Sequence, residues 1–264
     1  MIAAILGLAT IVAYACAVRA YDRRYPQRRY SALRLGSFTI GVALMTACVL
    51  PPFDALADLS FAAHMTQHLI LTLIGPPLVL LGAPLLLVVA LPAPDIGKAV
   101  ARVVRHPIVL ALSSPVPALL LFTATLWTVH FSPLYDLALR NEAVHAGEHA
   151  LLVVVAFLFW LPVVQVGYAP RPVAFPARML YLFLAIPQGA FLGLTIFSSR
   201  YVLYAHYAIG RSPAAALADQ QNAGAVMWIG GGAIVFVAFM ITAAVWAAHE
   251  RVEGGEPYPA RNSG

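Results

Sequence analysis

The chain has 264 residues, of which 61% are apolar and only 10% are charged. Soluble domains carry roughly 25% charged residues, so this composition indicates an integral membrane protein. The apolar runs are continuous and approach or exceed the roughly 20 residues that a membrane-spanning helix needs, which favours an all-α helical bundle over a barrel. The net charge of +5 comes from basic residues in short loops between these runs. Such residues mark topology and do not indicate a nucleic-acid partner.

Three apolar runs fill the first third of the sequence, at residues 2–18, 35–50 and 59–91. The first has no basic residue before it and six arginines soon after it, the reverse of a cleavable signal peptide. We therefore predict a retained span with its N-terminus outside. The third run is too long for one straight crossing and too short for two. Because glycines and prolines interrupt it between Gly75 and Pro84, we predict a single kinked span that enters from the outer side.

Four further crossings are predicted at residues 108–129, 143–164, 179–197 and about 219–248. Before the first of them, basic residues recur at helical spacing between Pro94 and Pro107, which predicts a short helix on the inner surface.

The positive charges support this topology. Of the 16 Lys and Arg residues, 13 fall on the inner side, and only Arg140, Arg200 and Arg211 fall outside. We therefore expect a seven-helix transmembrane domain over residues 1–250 with a cytoplasmic C-terminus. The polar, Gly- and Pro-rich tail at 251–264 is expected to be disordered.

Two histidine pairs have i, i+4 spacing, His64 with His68 and His145 with His149, so each pair lies on one face of its helix. Random placement of eight histidines predicts roughly 0.2 such pairs. Both pairs open spans that enter from the same side, so they can face each other if the third and fifth spans are neighbours. Imidazole binds copper, zinc and iron, and these four residues are the first candidate ligands.

Two other histidines are also placed on the outer side. His130 closes the fourth span and is the fifth candidate ligand, and His206 lies in the last outer loop and is the sixth. The remaining two, His106 and His249, are on the inner side, where a solvated histidine costs nothing. A single histidine at a membrane interface is usually a polar end-marker, but ionisable groups that gather within spans indicate function.

Other side chains near these histidines could assist a metal site. Met65 and Met227 could add thioether ligands for Cu(I), although packing roles are expected for them. Asp219 either caps the N-terminus of the seventh helix or accepts a proton from a ligating imidazole, and the two roles are compatible. Three further side chains could support the ligands in the same way: Tyr135, Glu142 and Gln67.

Three blocks of sequence resemble a known family. They read HMTQHLILTLIGPPLVLLGAP from His64, HFSPLYDLALRNEAVHAGEH from His130, and DQQNAGAVMW from Asp219. These blocks are similar to the caa3-type CtaG family of multi-span cytochrome c oxidase assembly factors. The resemblance implies that the family's histidine and DQ motifs fall on these residues: His64, His68, His130, His145, His149, Asp219 and Gln220.

The resemblance implies a multi-pass protein of the bacterial plasma (inner) membrane that helps to mature a haem-copper oxidase by handling copper, and that is not an enzyme. The implied partners are cytochrome c oxidase subunits, copper donor or acceptor proteins, and the lipid bilayer. Copper would bind on the outer, periplasmic side. The only cysteines, Cys16 and Cys48, lie within predicted spans, so cysteine-based copper chemistry is not expected.

Three alternatives fit part of the pattern. The segment from His145 to His149 matches HxxEH, the inverted zinc-protease motif, in which two histidines bind zinc and Glu148 would act as the general base. Histidines on facing membrane helices also ligate haem, although such ligands often lie deeper in the bundle. The kinked third span resembles the broken helices of transporters, but the inner half offers no matching ligand set.

Overall fold

The computed structural model of the protein describes residues 2–90, 94–167 and 171–253, and every regular element in these ranges is a helix. The α-helices are α1 (Ile2–Arg24), α2 (Ala32–Cys48), α3 (Phe53–Leu59), α4 (Phe61–Leu69), α5 (Gly75–Leu81), α6 (Pro84–Ala90), α7 (Pro94–Val104), α8 (Pro107–Leu112), α9 (Pro115–His130), α10 (Pro133–Ala138), α11 (Glu142–Trp160), α12 (Phe175–Ser198), α13 (Pro213–Ala225) and α14 (Gly232–Glu253). The π-helical segments Ile70–Ile74 and Val226–Gly231 join α4 to α5 and α13 to α14, and a 3-10 turn covers Ala205–Ala208. Most of the tail predicted at 251–264 lies outside the described residues.

Five continuous helical stretches are long and apolar enough to cross a membrane. They are Ile2–Arg24, Phe61–Ala90, Glu142–Trp160, Phe175–Ser198 and Pro213–Arg251. A sixth candidate arises if α2 and α3, which meet at 47°, form one bent span, and α9 is apolar but only 16 residues long. The protein is therefore a polytopic helical bundle. A seventh crossing through α9 and the sides of the two termini stay predictions.

The predicted fourth crossing, at 108–129, is divided in the structure. The helix α8 ends at Leu112 and α9 begins at Pro115, with Ser114 in an extended conformation between them (φ −77°, ψ 151°). A proline restricts the residue before it to extended backbone and itself suits the first turn of a helix, so Pro115 starts a new helix. The short helix expected before this segment is present as α7.

The kink in the third predicted span has a structural partner in α11. The carbonyl of Thr72 would normally accept a hydrogen bond from the N–H four residues later, but that residue is Pro76, which has no N–H, and Pro77 follows it. The indole N–H of Trp160 donates to the Thr72 carbonyl instead, at 2.9 Å. This bond and the surrounding packing make the third and fifth predicted spans neighbours.

The close crossing of α12 and α13 depends on two glycines. A Cβ on Gly193 would lie 2.6 Å from the backbone nitrogen of Trp228, and a Cβ on Gly224 would lie 2.5 Å from that of Phe197. Such distances are far inside van der Waals contact, and the obstructing atoms are backbone. Small residues permit this kind of approach between membrane helices.

We expect Gly193→Ala to destabilise the protein by about 1–3 kcal/mol, because the added methyl group must separate α12 from the segment that follows α13. The matched control is Gly189→Ala, one turn earlier in α12, where a Cβ would meet nothing within 4 Å. Thermal unfolding of purified protein in detergent would measure both. Equal unfolding midpoints for the two variants would contradict the backbone-to-backbone crossing.

Candidate metal centre

The five histidines that head the list of predicted ligands lie at helix ends. The helix α4 begins after its N-cap residue Ser60, and its first two turns carry the first histidine pair. The helix α11 begins after Asn141, whose side-chain oxygen accepts two backbone N–H bonds at 3.0 and 3.1 Å, and carries the second pair. The helix α9 ends at His130. Because each pair lies on a continuous helix, its two imidazoles lie on one face.

The two pairs meet in space. One ring nitrogen from each of His64, His145 and His149 lies within 4.8 Å of the other two. The ring centres are 5.1 Å apart for His64 and His145 and 4.3 Å apart for His145 and His149. Imidazole nitrogens bind metal ions at about 2.0–2.1 Å, so nitrogens this close can reach one shared ion with small side-chain rotations.

His68 extends the group toward α9. Its Nε2 lies 3.0 Å from Nε2 of His64, and its ring centre lies 5.3 Å from that of His149 and 6.1 Å from that of His130. Glu148 is buried, with a carboxylate oxygen 3.7 Å from Nε2 of His68. We call these five histidines together with Glu148 the histidine cluster.

The histidine cluster concentrates polar atoms that lack a partner. Among the described residues, ten buried side-chain nitrogen or oxygen atoms make no hydrogen bond, and six of them belong to the cluster. These six are Nδ1 of His68, Nε2 of His130, His145 and His149, and both carboxylate oxygens of Glu148. Most buried polar atoms in folded proteins are paired. A metal ion bound by the imidazoles would supply partners here, so the donor set fits a metal.

Hydrogen bonds determine which ring nitrogen is available. Nδ1 of His130 donates to the carbonyl of Leu126 at 2.7 Å, which leaves the lone pair of the neutral ring on Nε2. Nδ1 of His64 lies 2.6 Å from the hydroxyl of Tyr207, which donates to the carbonyl of Ala57 at 3.3 Å. The Tyr207 oxygen therefore accepts from Nδ1 of His64, so the lone pair of this ring is on Nε2, which faces Nε2 of His68 at 3.0 Å. Burial raises the pKa of Tyr207 and keeps this phenol neutral.

The prediction that Asp219 caps the N-terminus of its own helix is wrong. The helix α13 begins six residues earlier, at Pro213, and its N-cap is Ser212, whose hydroxyl accepts from the N–H of Ala215 at 3.2 Å. Proline suits the first helical position and serine suits the N-cap, so this earlier start has a local cause in the sequence.

Asp219 instead caps α4. Its carboxylate accepts hydrogen bonds from the hydroxyl of Ser60 at 2.8 Å and from the N–H groups of Phe61 and Ala62 at 2.9 and 3.3 Å. Arg211 forms an ion pair with it at 2.9 Å. A carboxylate favours a helix N-terminus, where backbone N–H groups are unpaired. Asp219 therefore holds the turn that carries His64, and it does so without contacting the imidazole.

Gln220 orders the segment that precedes α13. Its side-chain oxygen accepts from the N–H of Leu203 at 2.7 Å, and its amide donates to the carbonyl of Tyr201 at 3.0 Å. The next residue, Tyr204, donates its hydroxyl to the carbonyl of His130 at 3.0 Å. Gln220 thus reaches the histidine cluster through backbone and Tyr204, as a support of the frame.

The remaining predicted auxiliaries lie beside the cluster. Met65 is fully buried in an apolar group of side chains, and together with Met227 it lines a cavity of about 50 Å³ that His68 and His130 also line. His206 is half-buried and stacks edge-on against Tyr207, outside the group of nitrogens that lie within 4.8 Å of one another.

Of the three other supports proposed from sequence, one contacts the cluster. The ring of Tyr135 is fully buried and lies 5.6 Å from both His64 and His130. Gln67 points elsewhere and donates to the carbonyl of Cys48 and to Asp54. Glu142 and His106 are exposed, and His249 lies against Phe175, so these three are not in the cluster. The role of Tyr207 was missed because nothing in its spacing distinguishes it from an interfacial tyrosine.

These observations define a polytopic helical membrane protein with a buried candidate metal centre at one end of its bundle. Over residues 12–249, nearly its whole length, the chain matches the family described as cytochrome c oxidase caa3 assembly factor. The chain belongs to this family, in agreement with the resemblance found in its sequence blocks.

Relatives occur among mycobacterial proteins. Uncharacterised proteins of Mycobacterium bovis and Mycobacterium tuberculosis are each 26% identical over 255 residues, which cover 93% of this chain and 38% of the relative. A protein of Mycobacterium leprae, also uncharacterised, is 26% identical over 225 residues, covering 79% of this chain and 34% of the relative. The chain therefore spans less than half the length of the curated relatives it matches. No solved structure matches the chain.

We expect Asp219→Ala to lower the free energy of unfolding by about 2 kcal/mol, because two N–H groups at the start of α4 lose their acceptor and Arg211 loses its partner. Hydrogen exchange at residues 61–64 should become faster. The control is Asp58→Ala, because Asp58 is exposed and lies in α3, just before α4. Equal exchange at 61–64 in both variants would contradict the capping role.

Proposed function

We propose that the protein holds copper at the histidine cluster and hands it to a haem-copper cytochrome c oxidase during assembly. The observation that carries this proposal is the convergence of His64, His145 and His149, from two helices, with one nitrogen of each within 4.8 Å of the others. The family to which the chain belongs supports the oxidase as the acceptor. The proposed partners are oxidase subunits and a protein that donates copper.

The charge of the donor set favours Cu(I). Five of the six cluster side chains are imidazoles, which bind metal ions in their neutral form, and Glu148 carries the one carboxyl group, which binds as an anion. Net charge is costly to bury. One monovalent ion with one carboxylate leaves the site neutral, whereas a divalent ion leaves a charge of about +1. Imidazole suits copper, and the thioethers of the adjoining cavity, Met65 and Met227, are soft ligands that favour Cu(I).

Charge asymmetry supports the periplasmic side of a bacterial plasma membrane. The helix α2 begins just before Arg34, after a connection that carries Arg28 and Arg29, and leads through α3 to the start of α4. The arginines and the histidine cluster therefore lie toward opposite ends of the bundle. Basic loops stay on the cytoplasmic side, so copper from outside would reach the cluster without crossing the bilayer.

A zinc-dependent hydrolase is the second candidate, and one observation favours it. Glu148 lies within the histidine cluster, and both of its oxygens lack a hydrogen bond. Three histidines with an adjacent carboxylate resemble the zinc sites in which glutamate activates a water molecule.

Haem and transport have less support. The cavity that adjoins His68 and His130 holds about 50 Å³, whereas ligand pockets usually hold about 300–1,000 Å³, so a macrocycle would require the helices to move. For transport, the histidines predicted on the inner side stand apart: His106 is exposed just before α8, and His249 lies near α12.

We expect purified protein in detergent to bind roughly one or two copper ions, and His64→Ala or His149→Ala to abolish both copper binding and oxidase maturation, because each removes a converging imidazole. Elemental analysis, a visible spectrum and oxidase activity in cells are the measurements. His106→Ala, which changes an exposed histidine, should behave as wild type. Full oxidase activity in the double mutant His64→Ala/His68→Ala would refute the site, and a strong haem absorption band would favour haem.

Glu148→Gln separates copper handling from hydrolysis. If the carboxylate balances the charge of copper, its loss should weaken copper affinity about 10- to 100-fold. Glu142→Gln, in the exposed first turn of the same helix, is the control and should leave affinity unchanged. Copper competition with a chelator would measure both. Unchanged metal affinity in Glu148→Gln would instead agree with a general-base role.

A further inference from the structure

A groove opens between α5, the end of α11 and α14, at the end of α11 remote from the histidine cluster. Leu78, Trp160 and Ile241 line it from these three parts of the chain, and it holds about 440 Å³. His145 and Trp160 are 15 residues apart in α11, about 22 Å along its axis, so the groove lies far from the candidate metal centre. Its volume is typical of a ligand site, roughly 300–1,000 Å³.

The open side of the groove is apolar. Val237, Ile241 and Val245 line it from α14 and are 55%, 59% and 51% exposed. In a membrane, these side chains face lipid. Protein interiors contain few voids larger than a water molecule. We therefore expect a space of this size beside the lipid to be filled by a lipid acyl chain.

Arg178 lies at one end of the groove, and neighbouring groups hold its guanidinium in place. The Nε of Arg178 donates to the carbonyl of Val173 at 2.7 Å, and its Nη2 donates to the side-chain oxygen of Gln165 at 2.9 Å. The guanidinium also lies 4.6 Å from the ring centre of Phe175. These bonds use two of its five donors. In the part of the chain that the structure describes, no carboxylate pairs with Arg178.

We propose that this groove binds one anionic phospholipid, with the phosphate on Arg178 and an acyl chain between α5 and α14. A guanidinium held in place matches the two oxygens of a phosphate, and its remaining donors are available for them. Basic pockets between membrane helices bind anionic headgroups. The inference goes beyond the proposed function and does not depend on copper.

The test is native mass spectrometry of the full chain in detergent with equal amounts of phosphatidylglycerol and phosphatidylcholine that have identical acyl chains. Wild type should retain phosphatidylglycerol in about fivefold excess, the ratio expected from one basic residue near a headgroup. Arg178→Gln should bring the ratio close to one. Arg171→Gln changes an exposed arginine seven residues earlier and should preserve the excess.

A second variant tests the hydrocarbon end without touching Arg178. Val237→Trp enlarges an exposed side chain of the groove wall and should reduce retention of both lipids at least about threefold, because the added ring fills the space. Equal retention of the two lipids by wild type, an unchanged excess in Arg178→Gln, or unchanged retention in Val237→Trp would each overturn the proposal. Copper content, measured on the same samples, should equal that of wild type in all three variants, which separates this result from the test of copper binding.

Discussion

The carbonyl oxygen of Thr72 has no partner in its own helix, because the prolines that follow cannot donate, and the indole of Trp160 supplies one. Within hydrocarbon no water can replace such a partner, and an unpaired backbone group costs several kcal/mol. The bond therefore joins α11 to the third predicted span at the kink. The two histidine pairs lie at the starts of these same helices. Their convergence depends on this side-by-side packing.

The end of the bundle that carries the histidine cluster is held by residues distant in sequence. Asp219 caps α4 across 158 residues, and Gln220 orders the segment whose Tyr204 bonds the backbone of His130. Tyr207 orients the ring of His64, and Phe61 packs against the rings of Tyr204 and Tyr207. The adjacent Asp and Gln of α13 thus serve two helices that carry histidines. This explains how a DQ pair can matter to a metal site without ligating metal.

Sequence reasoning predicted the parts of this architecture that depend on local pattern. The i, i+4 spacing placed each histidine pair on one helical face, and the charge asymmetry placed both pairs at one end of the bundle, where they meet. It did not predict the break at Ser114, because a continuous apolar run conceals a helix boundary. It also missed the short helices α3 and α10, which lie in the connections between predicted spans. The assignment of Asp219 to its own helix failed for a different reason. A carboxylate that caps a distant helix leaves no local signal, since the contact exists only after the helices have packed.

The kink in the third predicted span also accounts for the second site. The π-helical segment Ile70–Ile74 contacts α14, whereas α5, just beyond it, packs mainly against α2 and α11. The span therefore leaves α14 at Pro76 and Pro77, and the groove opens where the two diverge. The same prolines that expose the Thr72 carbonyl to Trp160 thus separate α5 from α14. The proline kink therefore has two effects. It aligns the helices that carry the histidines, and it opens an apolar space toward the other end of the bundle, where the surrounding medium is lipid.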